Sequence, residues 1–277
     1  SLGQMESTVG LYYNRGMFDM CGITAATMDD PWTWDEFETE MDKLRDVDGI
    51  TTPGIFDPQA HRAFPLLYQH GVTIWDEAYT SSNLTDQAAV DAFTMLQEFY
   101  ENGLLDDSVY AGTNAASAFR TGAYGFHMSG NWNVSGYQDL DFDWTVVPMP
   151  KESNRATILG GKHMAAFDES GMEDEALAFI EWLAEPAQHD YYNENVPFLS
   201  ARRDADIDFG DINDEYQVFQ AEISATDGQY SSDWLKQVMI EGMYPTINQF
   251  VENVAQGNDV ATELADLETT LMEDAPE

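Results

Sequence analysis

Apolar positions recur with two different periods along this chain, and the alternation of those periods sets its predicted layout. Val9 to Tyr13 is a short apolar run of strand length. Thr33-Trp-Asp-Glu36 has the form of a capping box and opens a helix with Phe37, Met41 and Leu44 on one face, which Asp46 to Gly49 ends. Ile50 to Phe56 predicts a strand and Ala60 to His70 a short helix. Thr85 or Asp86 caps a long helix whose inner stripe is Ala89, Phe93, Leu96 and Tyr100. Ala115 to Thr121 predicts another short helix, followed by a strand over 123–128. A Ser129-Gly130 turn then opens a helix at Asn131, and Asp143 to Val147 predicts a strand.

Beyond the 151–155 loop, Ile158 to Phe167 predicts a strand, and Met172 to Ala184 a helix with Ala176, Phe179, Ile180 and Leu183 facing inward. The last third is helical. Ile247, Phe250, Val251 and Val254 make one stripe; Val260, Leu264, Leu267 and Leu271 make another, with breaks at Pro245 and Gly257. Strands alternating with helices predict an α/β architecture. There is no internal repeat or low-complexity tract.

Composition changes this picture in one respect. With 277 residues, 43% hydrophobic and 13% aromatic, the chain has the makings of one large or two modest cores. Yet 51 acidic residues stand against 11 basic ones, a net charge of −40. Self-repulsion on that scale weakens a compact state at ordinary ionic strength. At molar salt the Debye length falls to about 3 Å and the repulsion is screened. The acids are spread through every predicted helix, so the expectation is a protein of an extreme halophile rather than an acidic tail. No basic patch exists to neutralise phosphate, which excludes nucleic acid as a partner. One cysteine, Cys21, leaves no intrachain disulfide and reads as a packing residue.

The segment Phe119 to Tyr137 carries the most chemistry. A strand feeding a helix through small residues leaves backbone N–H groups open at the helix start. Trp132 stands in that first turn between Asn131 and Asn133. An aromatic face beside amides suits a polyhydroxylated ligand, whose C–H face packs on the ring while its hydroxyls find polar partners; the bland alternative is a core tryptophan. No metal-protease, nucleophile-elbow, phosphate-loop or paired-cysteine signature is present, so no cofactor or metal is expected. Asp204, Asp206, Asp208 and Glu215 mimic a calcium-loop spacing, but Phe209 stands where that loop needs glycine. Asn83-Leu-Thr85 and Asn133-Val-Ser135 are glycosylation sequons.

Arg120 to Trp132 resembles a segment of the extracellular solute-binding proteins of ABC importers, in the maltose-binding-like, sugar-binding group. Further stretches resemble that family in the same order: Val9 to Phe18, Cys21-Gly22 with Pro31 to Phe37, Ile158 to Ala166, Glu175 to Leu183 with Pro186, and Val196-Pro197 to Arg202. The resemblance implies a two-lobed periplasmic-binding-protein-like fold (type II), here one nearly complete C-terminal lobe plus part of the N-terminal lobe. Residues 9–157 would be the first part of the C-terminal lobe, 158–205 a remnant of the N-terminal lobe, and 206–277 the closing helices. Residues 1–8 would be a leader or a cloning remnant, the chain being truncated relative to the family.

By the same resemblance the function is capture of a carbohydrate in an inter-lobe cleft, outside the cell, for delivery to ABC permease subunits. The protein would not be an enzyme, would be monomeric, and would be anchored to the cell surface through the missing N-terminus. The rival is a secreted carbohydrate-active enzyme of the glycoside hydrolase kind. The site residues implied are Trp132 and Asn131, Gly161 and Lys162 where the chain re-enters the second lobe, Arg62 and His61 in the loop from Asp57, and Tyr244 with Asn248 in a C-terminal helix. Trp32, Trp34, Trp75, Trp144, Trp182 and Trp234 are read as structural. A neutral oligosaccharide, a sugar acid held by Arg62 or Lys162, and a polyol phosphate all remain open as ligands.

Overall fold

The apolar run at Val9 becomes the middle of the larger of two sheets. The structure, a computed structural model, describes residues 2–50, 52–78, 80–196, 198–238 and 243–274. β1 (Leu2–Ser7) and β2 (Val9–Asn14) are separated only by Thr8, yet they belong to different sheets. After them come α1 (Arg15–Cys21) and α2 (Trp34–Asp42). The predicted capping box opens α2: Thr33 N–H donates to Glu36 Oε2 at 2.8 Å, and Glu36 N–H donates to Thr33 Oγ1 at 3.2 Å. β3 (Gly54–Phe56), α3 (Ala60–Gln69), α4 (Gln87–Glu101), α5 (Ala115–Phe119) and β4 (Phe126–Gly130) follow. A single helical turn, α6 (Val134–Tyr137), leads to β5 (Trp144–Val147).

The chain then builds β6 (Gly160–Met164), α7 (Glu173–Ala184), α8 (Pro186–Asn195) and β7 (Leu199–Ser200). Last come α9 (Asn213–Ala225), α10 (Gly228–Val238), α11 (Met243–Ala255) and α12 (Val260–Asp274).

The larger sheet has the order β3-β4-β2-β5. β2 runs antiparallel to both neighbours, with Leu11 opposite Met128 and Val147, while β3 lies parallel to β4. The pleat sends alternate residues to opposite faces. Val9, Leu11 and Tyr13 meet the core built by α2, α3, α4, α11 and α12. Tyr12 meets a second core with Phe119, Tyr137 and Phe219, from α5, α6 and α9. Both faces are therefore covered, giving three layers. Phe126 shows the packing: fully buried, it stands edge-on to Phe37 with ring centroids 5.2 Å apart. Each such ring contributes about 1.5–3 kcal/mol.

The smaller sheet has the order β6-β1-β7, antiparallel throughout, with α8 packed on β7 and α7 on α8. Residues 2–7, expected to be a leader, are its central strand. Their alternation is weak (the adjacent Gln4 and Met5 are both buried, the rest half-buried), which is why hydropathy did not flag them. The inward face expected for α7 is also corrected. Only Leu183 is buried, while Phe179 and Trp182 are 49% and 47% exposed. The helical period is present, but among the described residues no second layer faces it. In the loop from Asp57, Gln59 is exposed and Asp57, Pro58 and His61 are half-buried, while Ala60 and residues 62–69 of α3 are buried. Pro245 sits in the first turn of α11, where its missing N–H goes unneeded, rather than at a break. Cys21 is half-buried against the main core. Pro197, part of one resembling stretch, lies outside the described residues.

Candidate ligand-binding site

The two sheets meet at the crossovers, and the polar groups there are paired with care. Thr8 and Thr157, both buried, share a hydrogen bond between their hydroxyls at 2.7 Å. Asn131 clamps the β1–β2 crossover: its Oδ1 accepts from Thr8 N–H at 3.1 Å and its Nδ2 donates to the Glu6 carbonyl at 3.2 Å. Beside these crossovers a cavity of about 660 Å³ opens between the sheets. One wall is the smaller sheet: Met5, Glu6 and Ser7 of β1, then Ile158 and Leu159 leading into Gly160 to His163 of β6, with Phe198 and Ala201 beyond. The other is aromatic: His61 of α3, Trp132, Trp234 of α10 and Tyr244 of α11. That volume is of the size that encloses a small ligand.

Five of the expected residues line this cavity: His61, Trp132, Gly161, Lys162 and Tyr244. His61 meets Trp132 edge-on with centroids 5.3 Å apart, stacks on Tyr244 at 5.8 Å, and is hydrogen-bonded through Nδ1 to the Tyr244 hydroxyl. Burial, helped by the charge of Arg62, pushes His61 down to about 3, so the ring is neutral. Burial likewise raises the Tyr244 phenol and the Glu6 carboxyl. Gly161 is dictated by strand pairing: a Cβ there would stand 2.4 Å from the Met5 carbonyl oxygen. Lys162 is exposed on β6, opposite Met5.

The other three lie behind the wall. Asn131 is fully buried, both ends of its amide are turned to the crossover, and it does not line the cavity. Asn248 Oδ1 accepts from Ala60 N–H at 2.8 Å and so caps α3 from another helix. Arg62 is buried beside Asp57, its Nη2 3.0 Å from Asp57 Oδ2, with its guanidinium carbon 5.3 Å from the Trp132 ring centre. Desolvation lowers its pKa, and the carboxylate of Asp57 opposes that.

The expected helix at Asn131 is a three-residue 3₁₀ turn followed by α6, too short to make an anion site, and Asn131 N–H is already bonded to the Thr8 carbonyl. Trp132 folds back instead of projecting: a Cβ on residue 130 would lie 2.0 Å from its ring, so only glycine fits there.

Trp234, read as structural, is 2% exposed and yet forms part of the cavity wall. It is held by its neighbour Asp233, whose carboxylate accepts from the N–H groups of Ile74 and Trp75 at 2.8 and 3.0 Å. Local sequence carried no sign of this, since the partners are more than 150 residues away. Among the described residues no group of three or more acidic, histidine or cysteine side chains converges to hold a metal. Asp204 pairs with Arg202 and Glu215 accepts from Thr145, so the calcium-like spacing does not close into a site. The amides of both sequons are engaged, Asn83 with Thr73 and Trp75, Asn133 with Ser129.

The family model for bacterial extracellular solute-binding proteins matches residues 2–217. This chain belongs to that family. Its location is therefore extracellular or periplasmic, and the family is one of binding proteins. Several solved structures are similar to this solute-binding protein across nearly its whole length. An ABC substrate-binding protein of Listeria monocytogenes, in complex with cycloalternan, is 19% identical with a TM-score of 0.78, covering 98% of this chain and 70% of that one. A receptor of Streptomyces glaucescens, solved unliganded and with acarbose, is 18% identical with a TM-score of 0.79, covering 99% and 71%. A Mycobacterium tuberculosis protein in complex with glycerophosphocholine is 19% identical with a TM-score of 0.76, covering 97% and 68%. The fold is thus that of the two-lobed periplasmic binding proteins, of which this chain spans about 70% of the length.

Proposed function

We propose that this solute-binding protein captures a carbohydrate in the cavity between its two sheets and delivers it to the permease subunits of an ABC importer. The observation that carries the reading is the cavity itself: Trp132, Tyr244 and Trp234 on one side, the β1–β6 wall on the other. Aromatic faces bury the C–H surface of a sugar, and strand-edge polar groups serve its hydroxyls. Membership of the solute-binding family and the cycloalternan and acarbose held by two similar structures support it.

In this reading residues 9–157 and 206–277 form the C-terminal lobe, and residues 158–205, joined by β1, belong to the other lobe. Capture is closure of the lobes about the crossovers at Thr8 and Thr157. The protein works as a monomer, held at the cell surface, and the charge of −40 suits it to molar salt. Asn131, Asn248 and Arg62 hold the aromatic wall, while Trp132, His61, Tyr244, Gly161 and Lys162 face the ligand.

The test is calorimetric titration in molar KCl with maltose, maltotriose and their cyclic relatives, with hydrolysis assayed in parallel. The wild type should bind at least one of them without turnover. Trp132→Ala should weaken that binding at least tenfold, about 1.4 kcal/mol. No binding across the panel would overturn the carbohydrate reading, and turnover would favour the secreted enzyme.

A further inference from the structure

Arg62 has the attributes of an anion receptor in the sequence and of something else in the fold. Each of its three nitrogens has a partner within this chain: Nη2 lies 3.0 Å from Asp57 Oδ2, Nη1 donates to Gln59 Oε1 at 3.0 Å, and Nε donates to Ser129 Oγ at 3.4 Å. The side chain is 9% exposed. A guanidinium so enclosed has its charge balanced by the carboxylate and each nitrogen turned to a partner inside the wall, a poor arrangement for receiving a ligand anion. What it does present is its flat face, with Cζ 5.3 Å from the centre of the Trp132 ring. A planar cation over an indole is attracted by the ring's electron density. The same arginine is tied to the segment that carries the tryptophan, because Ser129 Oγ accepts from both Arg62 Nε and Asn133 Nδ2, the latter at 2.8 Å. With Gly130 leaving room for the ring to fold back, the indole is fixed from behind.

We infer that Arg62, oriented by Asp57, is a positioning residue that braces Trp132 from behind the cavity wall, and that the site selects its ligand without a charge contact from this arginine. The inference rests on the proposed role of Trp132 as ligand wall, but it has a measurable content without any ligand. A ring pinned by a buried planar cation is less accessible and less mobile than one that is merely packed, and affinity follows from that preorganisation.

The experiment has a ligand-free arm and a ligand arm, both in molar KCl. In the first, the Trp132 contribution to fluorescence is isolated by subtracting the matching Trp132→Phe protein, and its quenching by acrylamide is measured. Arg62→Met, which keeps the length and removes the cation, should raise the Trp132 quenching constant about twofold or more. Asp57→Asn should raise it less, and serves if Arg62→Met does not fold. An unchanged Trp132 quenching constant in the folded variant overturns the inference. In the second arm, wild type and variant are titrated with maltose and with its aldonic acid, maltobionate. A brace predicts that both affinities fall by the same factor, roughly tenfold. Selective loss of the acid alone would make Arg62 an anion receptor and overturn the inference. Should the wild type bind neither sugar, the carbohydrate reading fails, and the quenching arm still decides the role of Arg62.

Discussion

Residues around the larger sheet and those of 158–205 obey the same hydropathy rules but reach opposite states. The larger sheet is covered on both faces, and its aromatic residues, such as Phe37, Phe126 and Tyr12, are buried. Between 158 and 205 the buried apolar side chains are Ile158, Leu183 and Leu199, while seven of the eleven exposed large apolar residues of the described chain fall there, Phe167, Phe179 and Trp182 among them. Buried polar atoms without a hydrogen-bond partner are three on each side among the described residues: Gln4 Nε2, His189 Nε2 and Asn193 Oδ1 beside the smaller sheet, Tyr110 Oη, His127 Nε2 and Glu222 Oε2 in the larger unit. Each such group costs about 1–3 kcal/mol, and the smaller region has far less buried apolar surface to offset it. An amphipathic helix is an offer of burial; whether it is taken up depends on what stands opposite.

Lowering the salt should break the comparison most visibly. Between 3 M and 0.1 M KCl the Debye length grows from under about 3 Å to about 10 Å, and the charge repulsion returns. Amide exchange should then lose its protection first, and completely, in residues 158–205, where little core opposes the repulsion. Uniform loss across both sheets would show that the two regions are one cooperative unit.

Next in size are substitutions in the two regions. Phe126→Ala should cost about 3–5 kcal/mol in denaturant titrations, because it empties a filled core. A cost near zero would mean the larger core is loosely packed.

Acidification sharpens the contrast from another side. His61 and His127, in the larger unit, are held by burial near 3 against a free value of 6.5, so their stabilisation is complete above pH 6.5 and drains away as the pH falls toward 3. Glu222 opposes them: burial pushes it up from 4.5 to about 7, so its contribution is full below pH 4.5 and gone above about 7. From pH 6.5 to 4.5 the two histidines outweigh Glu222 by roughly 3 kcal/mol in molar salt, a loss that the raised carboxyls of Glu6 and Asp233 reduce. Glu222→Gln should deepen the acid loss, and a rise in stability on acidification of the wild type would contradict the assignment.

The smallest effect is expected at Phe179. Replacing it by serine should change stability by no more than about 0.5 kcal/mol, since an exposed ring has little to lose. A cost of several kcal/mol would mean that something in solution covers α7.

Much of the larger unit was legible beforehand, and for local reasons. The Thr33–Glu36 box, the stripe of α4 and the run at β2 each declare themselves within one or two turns of chain. The smaller unit was less legible. β1 is short and mixed in burial, so it looked like a leader. The periodicity of α7 was read correctly but its burial was not, because burial depends on a second layer. At the site, Trp132, His61 and Tyr244 could be named from their kind and position, while Trp234 was missed because its place on the wall follows from bonds between Asp233 and the loop at Ile74.

The chain's own order of residues determined the α/β alternation, the helix starts, the acidic charge and the choice of Trp132 as the focus of the site. These depend on neighbours a few residues apart or on composition. Tertiary structure alone decided which candidates face the cavity. Asn131 turned inward to clamp Thr8, Asn248 capped α3, and Arg62 was enclosed by Asp57, Gln59 and Ser129. The physical reason is that a polar side chain must satisfy its hydrogen bonds wherever the fold puts it. For these three the nearest partners were backbone and side chains of this protein, which left the aromatic residues to line the cavity.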